Sequence, residues 1–213
     1  TLEVAYSDLI TFGKLFSPED FLASATPDFH INVGKYLLNK KMQQLALVLP
    51  RDHAKSTMAA CAVLHRFVFA TKENPEFIAW IGEAQDQARD NLGWIQNHIY
   101  ENPAIHYYFG DLEGDKWTKD EFTLKNGCRM IGKGTSQRLR GKRQFSTRYT
   151  GIVLDDFESE LNTKTPDSRR QIKEWVTAAV YPAIDFDKKG FLWCNGTVVH
   201  YDSFLNGIVK EYL

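Results

Sequence analysis

LALVLPRDHAKST, residues 45–57, decides how the rest of the chain is read. Leu45–Leu49 is a short continuous apolar run ended by Pro50, the pattern of a strand buried on both faces. Behind it, Lys55 and Ser56 open KSTMAACAVLHRFVFA, long and apolar enough to be a helix reaching Ala70. A lysine and a hydroxyl entering a helix directly after a buried strand are the working parts of a phosphate-binding loop. Free N–H groups at the helix start cradle phosphate oxygens, the lysine reaches the terminal phosphates, and the hydroxyl holds Mg²⁺. The usual GxxxxGK[ST] spacing would place glycines at Leu49 and Ala54, and both are absent. Alone, the stretch also fits a strand–helix turn with a surface lysine.

Two later strand ends add to it. GIVLDDFESE, residues 151–160, runs from apolar β-formers into Asp155-Asp156. Adjacent acids at the end of a buried strand repel each other and resist desolvation, so the pair is costly unless a cation balances it. Asp155 suits the role of holding a metal-bound water, and Asp156 that of the carboxylate polarising an attacking water. Glu158, two residues on, is the alternative base. In isolation this is also an acidic turn; in order behind Lys55 and Ser56 it favours an ATP site. FLWC, residues 191–194, ends in Asn195-Gly196-Thr197. A small polar tip beside a γ-phosphate can sense hydrolysis, although Asn-Gly chemistry by itself marks a simple turn.

Around these ends the chain organises simply. Residues 1–44 read as a helical lead-in, with Ser17 as an N-cap and Pro18 at the first helical position. Residues 45–213 form the core. Strands are predicted at Glu76–Gly82 and Gly151–Leu154, and helices at Glu83–Tyr100 and Ser168–Val180. Asn126-Gly127 between alternating apolar positions of Phe122–Ile131 signals a hairpin. This alternation predicts an α/β domain: a mainly parallel sheet flanked by helices, with an inserted β-hairpin and its functional residues at strand carboxyl ends.

Composition narrows the field. With 43% hydrophobic and 25% charged residues in 213, the chain can bury a sizeable core. A net charge of −1 excludes binding nucleic acid by overall charge, so any such contact needs a local patch. Between Lys133 and Arg148 lie Lys133, Arg138, Arg140, Lys142, Arg143 and Arg148 with no acid among them. That run fits a solvated face, a DNA-backbone contact, or an arginine presented to the ATP of a neighbouring subunit. Arg51, inside the loop, could reach a γ-phosphate in cis. Cys61, Cys128 and Cys194 lie far apart and read as reduced, buried thiols rather than a metal or disulfide framework. No apolar run approaches the ~20 residues that span a bilayer. No signal pattern opens the chain, and Thr1 in place of Met fits an excised piece of a longer protein.

PRDHAKST, NPAIHYYFG, NGCRMIGKGTSQRLRG, IVLDDFESE and CNGT, in this order from about Leu45 to Thr197, resemble the large terminase subunits of tailed bacteriophages. The degenerate phosphate loop is itself a habit of that family. The resemblance implies a P-loop NTPase fold of the additional-strand, conserved-glutamate (ASCE) type. It implies a nucleotide site at Pro50, Arg51, Asp52, His53, Ala54, Lys55, Ser56 and Thr57, with Ser56 and Asp155 on Mg²⁺. Arg51 looks like the cis arginine, Arg140 like the trans finger, and Asn195, Gly196 and Thr197 like a coupling motif. Asp156 stands where the family usually has glutamate, which keeps Glu158 in play. Arg143 and Arg148 remain rival fingers, and Lys133, Arg138, Lys142, Arg143 and Arg148 are the DNA-contact candidates.

The same resemblance implies an ATPase motor that drives double-stranded DNA into a procapsid. It would act as a ring with the portal protein and the small terminase subunit, in the host bacterial cytoplasm, away from any membrane and absent from the mature virion. The family's C-terminal nuclease domain is expected to lie beyond Leu213. Two rivals share the features: a helicase-type, nucleic-acid-stimulated ATPase, and a DNA-binding adaptor that has lost nucleotide.

Overall fold

The computed structural model describes residues 2–139 and 148–212. Helices α1 (Leu2–Ser7), α2 (Leu9–Phe16), α3 (Pro18–Phe21) and α4 (Asp28–Leu38) precede strand β1 (Gln44–Val48). Then come α5 (Lys55–Val68), β2 (Phe77–Gly82), α6 (Gln85–Glu101) and α7 (Pro103–Phe109). Strands β3 (Glu113–Trp117), β4 (Glu121–Leu124), β5 (Arg129–Gly134) and β6 (Gly151–Asp155) follow, and α8 (Pro166–Trp175), β7 (Phe191–Gly196) and α9 (Phe204–Tyr212) complete the order.

The strands form one sheet in the order β1-β7-β6-β2-β5-β4-β3. From β1 to β5 every pairing is parallel, whereas β4 and β3 turn antiparallel at one edge. Strand periodicity divides the interior in two. Ile78, Trp80, Val153, Phe191 and Trp193 point into one core, shared with Phe12, Phe16, Met58, Leu64 and Leu92 of the helices on that side. Their neighbours Ala79, Ile81, Ile152, Leu154, Leu192 and Cys194 point into the other, against Phe157, Ile172, Val176 and Leu205. With apolar cover on both faces, β6 is buried along its whole length. Helix α5 is buried nearly all round, because α2, α4 and α6 pack about it on top of the sheet.

The hairpin forms where Asn126-Gly127 predicts it. Gly127 takes the left-handed φ of 88° that the turn between β4 and β5 needs. Asn126 Nδ2 donates to the carbonyls of Phe67 (2.8 Å) and Ala70 (3.2 Å), so the turn also closes the last turn of α5. Strand β5 is at once the return arm of that hairpin and a parallel neighbour of β2.

Three expectations are corrected. The apolar run at Leu45–Leu49 is not a strand buried on both faces: β1 is the edge of the sheet, and only Leu47 in it is buried. Its apolar side chains meet α4 and α9 instead of a second strand. Ser17 does precede α3 with Pro18 in its first turn, but its hydroxyl donates to the Asp20 carboxylate (2.7 Å) rather than capping a backbone amide. The predicted helix at Ser168–Val180 begins earlier, at Pro166 behind a Thr165 capping box, and ends in a π-turn over Val176–Val180. All three cysteines are buried thiols. Among the described residues no helix is long and apolar enough to cross a membrane.

Candidate functional site

The carboxyl ends of β1, β7, β6 and β2 open on one side of the sheet, and a cleft of about 680 Å³ lies there. It is lined by Arg51, Asp52, His53 and Ala54 from the loop after β1 and by Lys55, Ser56 and Thr57 from the first turn of α5. Glu83, Gln87, Asp156, Glu158, Ser159, Thr197 and Val199 complete it. Residues 51–57 thus share one cleft with Asp156, Glu158, Ser159 and Thr197.

Backbone conformation explains how the loop dispenses with its glycines. Asp52 and Ala54 take left-handed φ values of 62° and 54°. For a residue with a Cβ this costs roughly 1–2 kcal/mol, and such strain persists only where the surroundings enforce it. Ala54 occupies the position of the usual second glycine and keeps the conformation without the residue. It is also the residue before α5 and makes no side-chain capping bond, so the first amides of that helix face the cleft. The helix start is an anion-binding arrangement. Behind the loop, His30 of α4 bonds the His53 carbonyl (3.1 Å), tying the N-terminal helices to it.

Lys55 is only 6% exposed. Its Nζ donates to the Pro50 carbonyl (2.8 Å) and to Thr197 Oγ1 (3.4 Å), and Thr197 Oγ1 in turn donates to the Leu49 carbonyl (2.9 Å). Among the described residues no carboxylate lies within ion-pair distance of this buried ammonium. Ser56 Oγ donates to Asp155 Oδ1 at 3.0 Å, and Asn195 Nδ2 does so at 3.4 Å. Burial pushes the Asp155 carboxyl up to about 6, with the Asp156 charge adding to the rise and the Ser56 and Asn195 bonds opposing it. Asn195 Oδ1 is buried and accepts no hydrogen bond from the described residues. A hydroxyl, a desolvated carboxylate and an unused amide oxygen gathered at a strand end form an all-oxygen donor set that fits Mg²⁺. A divalent cation would also remove the penalty on Asp155.

The remaining carboxylates differ in what they touch. Asp156 has a left-handed φ of 43°, its amide donates to the Asn195 carbonyl (3.0 Å), and its side chain lies beside Gly196. A Cβ on Gly196 would stand 2.5 Å from Leu205 Cδ1, so a larger residue there would require the Leu205 side chain to shift. Glu158 is spent differently: its two oxygens accept the amides of Phe204 (2.6 Å) and Leu205 (2.9 Å) at the start of α9. Burial still raises its pKa against those bonds. Glu83 and Gln87 line the cleft although nothing in their local sequence marks them; the only signal is the alignment of β2 with β6.

Lys133, Arg138 and Arg148 do not line the cleft, and Arg140, Lys142 and Arg143 lie outside the described residues. No family model and no curated protein matches the sequence. Solved structures do share the fold. The large terminase of bacteriophage HK97 superposes over 97% of this chain with a TM-score of 0.63 at 13% identity, and the chain spans 40% of its length. A variant of the large terminase ATPase domain of Thermus phage P74-26 superposes over 84% of this chain and 68% of its own, with a TM-score of 0.54 at 12% identity. The seven-stranded, mostly parallel sheet with its flanking helices is therefore the α/β fold of these phage large terminase structures.

Proposed function

We propose that this chain is the ATP-hydrolysing motor domain of a phage terminase large subunit, which drives double-stranded DNA into a procapsid. The observation that carries the reading is the buried Lys55 at the start of α5, followed by Ser56, which is bonded to the desolvated Asp155. A buried ammonium without a carboxylate partner, at the amino end of a helix, calls for an anion of several charges such as a triphosphate. The phage terminase folds above supply the biological context.

In this reading Lys55 and the first amides of α5 bind the β- and γ-phosphates, and Arg51 of the loop reaches the γ-phosphate. Ser56 and Asp155 hold Mg²⁺, which when bound neutralises charge on the phosphates. Asp156 faces the cleft from the next position and orients the attacking water; Glu158, with both oxygens on α9, keeps a capping role. Asn195, Gly196 and Thr197 link the strand end to the phosphate loop through the Thr197–Lys55 contact. Arg140 of a neighbouring subunit in a ring completes the site, with Arg143 and Arg148 as rivals. Lys133, Arg138 and Lys142 are contacts for the DNA backbone. The portal protein and the small terminase subunit are the partners, in the bacterial cytoplasm.

Mg²⁺-dependent ATP hydrolysis measured against protein concentration tests this. Turnover per subunit that rises with concentration in the wild type and vanishes in Asp155→Ala is the expected result. No nucleotide binding at any concentration would overturn it in favour of a DNA-binding adaptor, and unwinding stimulated by single strands would favour a helicase.

A further inference from the structure

We infer that Glu83, at the carboxyl end of β2, is a second catalytic carboxylate of this site and takes the proton of the attacking water. The inference rests on the ATPase reading and deepens it.

Sheet register puts Glu83 there. Strand β2 runs parallel to β6, with Ile81 abreast of Leu154. Strand β2 ends at Gly82 and β6 at Asp155, so Glu83 and Asp156 are the first residues past the ends of these two neighbouring strands. The two strand ends then present carboxylates on either side of the cation ligand: Asp156 lies against Gly196 on the β7 side, and Glu83 stands on the β2 side. Both line the same cleft as Lys55 and Thr57.

Glu83 is held by bonds on each of its parts. Its amide donates to Gln87 Oε1 (3.0 Å), and its carbonyl accepts from the Thr135 amide (3.3 Å). Its Oε1 accepts the hydroxyl proton of Ser159, which follows the Asp155–Glu158 run. No described residue bonds Oε2. A carboxylate that lines the cleft and is fixed through one oxygen, with the other unbonded by any described residue, is suited to take a proton from a positioned water.

The other cleft acids serve less well. Glu158 has both oxygens on the α9 amides. Asp52 belongs to the phosphate loop itself and is exposed. Asp156 is one methylene shorter than glutamate and leans toward β7. Glutamate at 83 restores the reach that an aspartate at 156 lacks, from the neighbouring strand.

The step balances simply. The water oxygen forms a bond to the γ-phosphorus as the bond from that phosphorus to the β–γ bridging oxygen breaks. The bridging oxygen leaves with ADP, and the water proton passes to Glu83 Oε2 and then to phosphate or solvent. Asp156 accepts a hydrogen bond from the water's other O–H, which stays on the oxygen, and so fixes its direction.

The test compares wild type with Glu83→Gln, Glu83→Asp and Ser159→Ala in the full chain. Affinity is read with a fluorescent ATP analogue, turnover under steady state, and the identity of bound nucleotide by chromatography after a single round. Glu83→Gln should lower kcat about 100-fold or more, a loss typical for a positioned general base, with affinity within about twofold, and should retain ATP where wild type holds ADP. Glu83→Asp should recover part of the rate. Ser159→Ala should lower kcat about tenfold with affinity unchanged, and it serves equally if Glu83→Gln fails to fold.

Glu83→Gln turning over within about threefold of wild type would overturn the inference. So would a loss of kcat matched by an equal loss of affinity. If wild type itself binds no ATP analogue, or Lys55→Ala binds it as tightly, the ATPase reading fails instead.

Discussion

Helix α5 carries a buried cation at each end, and the two are treated in opposite ways. At its start, Lys55 is met only by neutral oxygens, the Pro50 carbonyl and the Thr197 hydroxyl. Near its finish, Arg66 is paired with the Glu76 carboxylate (3.1 Å), and its guanidinium lies 4.3 Å from the Phe191 ring centroid and 5.4 Å from that of Trp193. Glu76 is itself held by the Thr150 hydroxyl (2.6 Å). The carboxyl end of the helix is a closed account of charges, whereas the amino end is left one anion short. A buried cation with its own counterion belongs to the fold, and one without it belongs to a ligand.

Removing each cation should therefore hurt a different property. Lys55→Ala should cut ATP turnover about 10²–10³-fold, which is about 3–4 kcal/mol of transition-state stabilisation. Its melting temperature should stay within a few degrees, because the fold loses a neutral contact and a desolvation penalty together. A variant that melts far below wild type would show that Lys55 holds the loop instead of phosphate. Arg66→Ala should do the reverse. It leaves Glu76 half-buried and unpaired and strips the ring contacts, a loss of about 3 kcal/mol. In a domain this size that lowers the melting temperature by roughly 6–12 °C. Affinity for an ATP analogue should hold; if it falls too, the two ends of α5 are coupled.

His65, beside Arg66, sharpens the same contrast through pH. Burial lowers its pKa to about 4, with the charges of Arg66 and Lys40 adding to the effect and the Tyr6 carbonyl bond opposing it. The folded chain thus keeps the imidazole neutral while the unfolded chain takes up a proton near pH 6.5. Its contribution is fully present above that value and is lost as pH falls from about 6.5 toward 4, since the unfolded state then binds more protons. His98 shifts in the same direction, again mainly from burial. Urea unfolding at pH 7 and pH 4.5 should show wild type losing about 2 kcal/mol more than His65→Gln, which keeps His98 and an amide donor for Tyr6. Equal losses would place the titration elsewhere.

How much of this was legible depended on where each signal lies. Lys55, Ser56, Asp155 and Asp156 stand where an apolar run turns polar, and such a switch is written in a few consecutive residues. The hairpin was legible for the same reason, through Asn126-Gly127. Glu83 was not, because its meaning comes from the register of β2 against β6, two strands whose pairing no local pattern records. Glu158 looked like a base until α9 arrived some way along the chain to take both its oxygens. Leu45–Leu49 misled because an edge strand covered by helices is as apolar as a central one. Strand β3, EGDKW, went unmarked since a polar edge arm has no alternation to read.

The smallest expected effect falls at the join between the two kinds of site. Thr197 Oγ1 gives its one proton to the Leu49 carbonyl, so its lone pairs are free to accept from Lys55 Nζ. A single hydroxyl thus ties the end of β7 to both the chain entering the phosphate loop and the lysine leaving it. Thr197→Val keeps the shape and deletes both bonds. The Leu49 carbonyl loses a donor and Lys55 loses one of two anchors, together worth about 1 kcal/mol, or roughly a fivefold weaker affinity for ATP. Stability should hardly move, and Thr197→Ser should restore the affinity because the hydroxyl alone is needed. If Thr197→Val binds ATP as wild type does, the Pro50 carbonyl positions Lys55 unaided. The end of β7 would then have no hold on the lysine, and the charge left open at the start of α5 would be set by the phosphate loop alone.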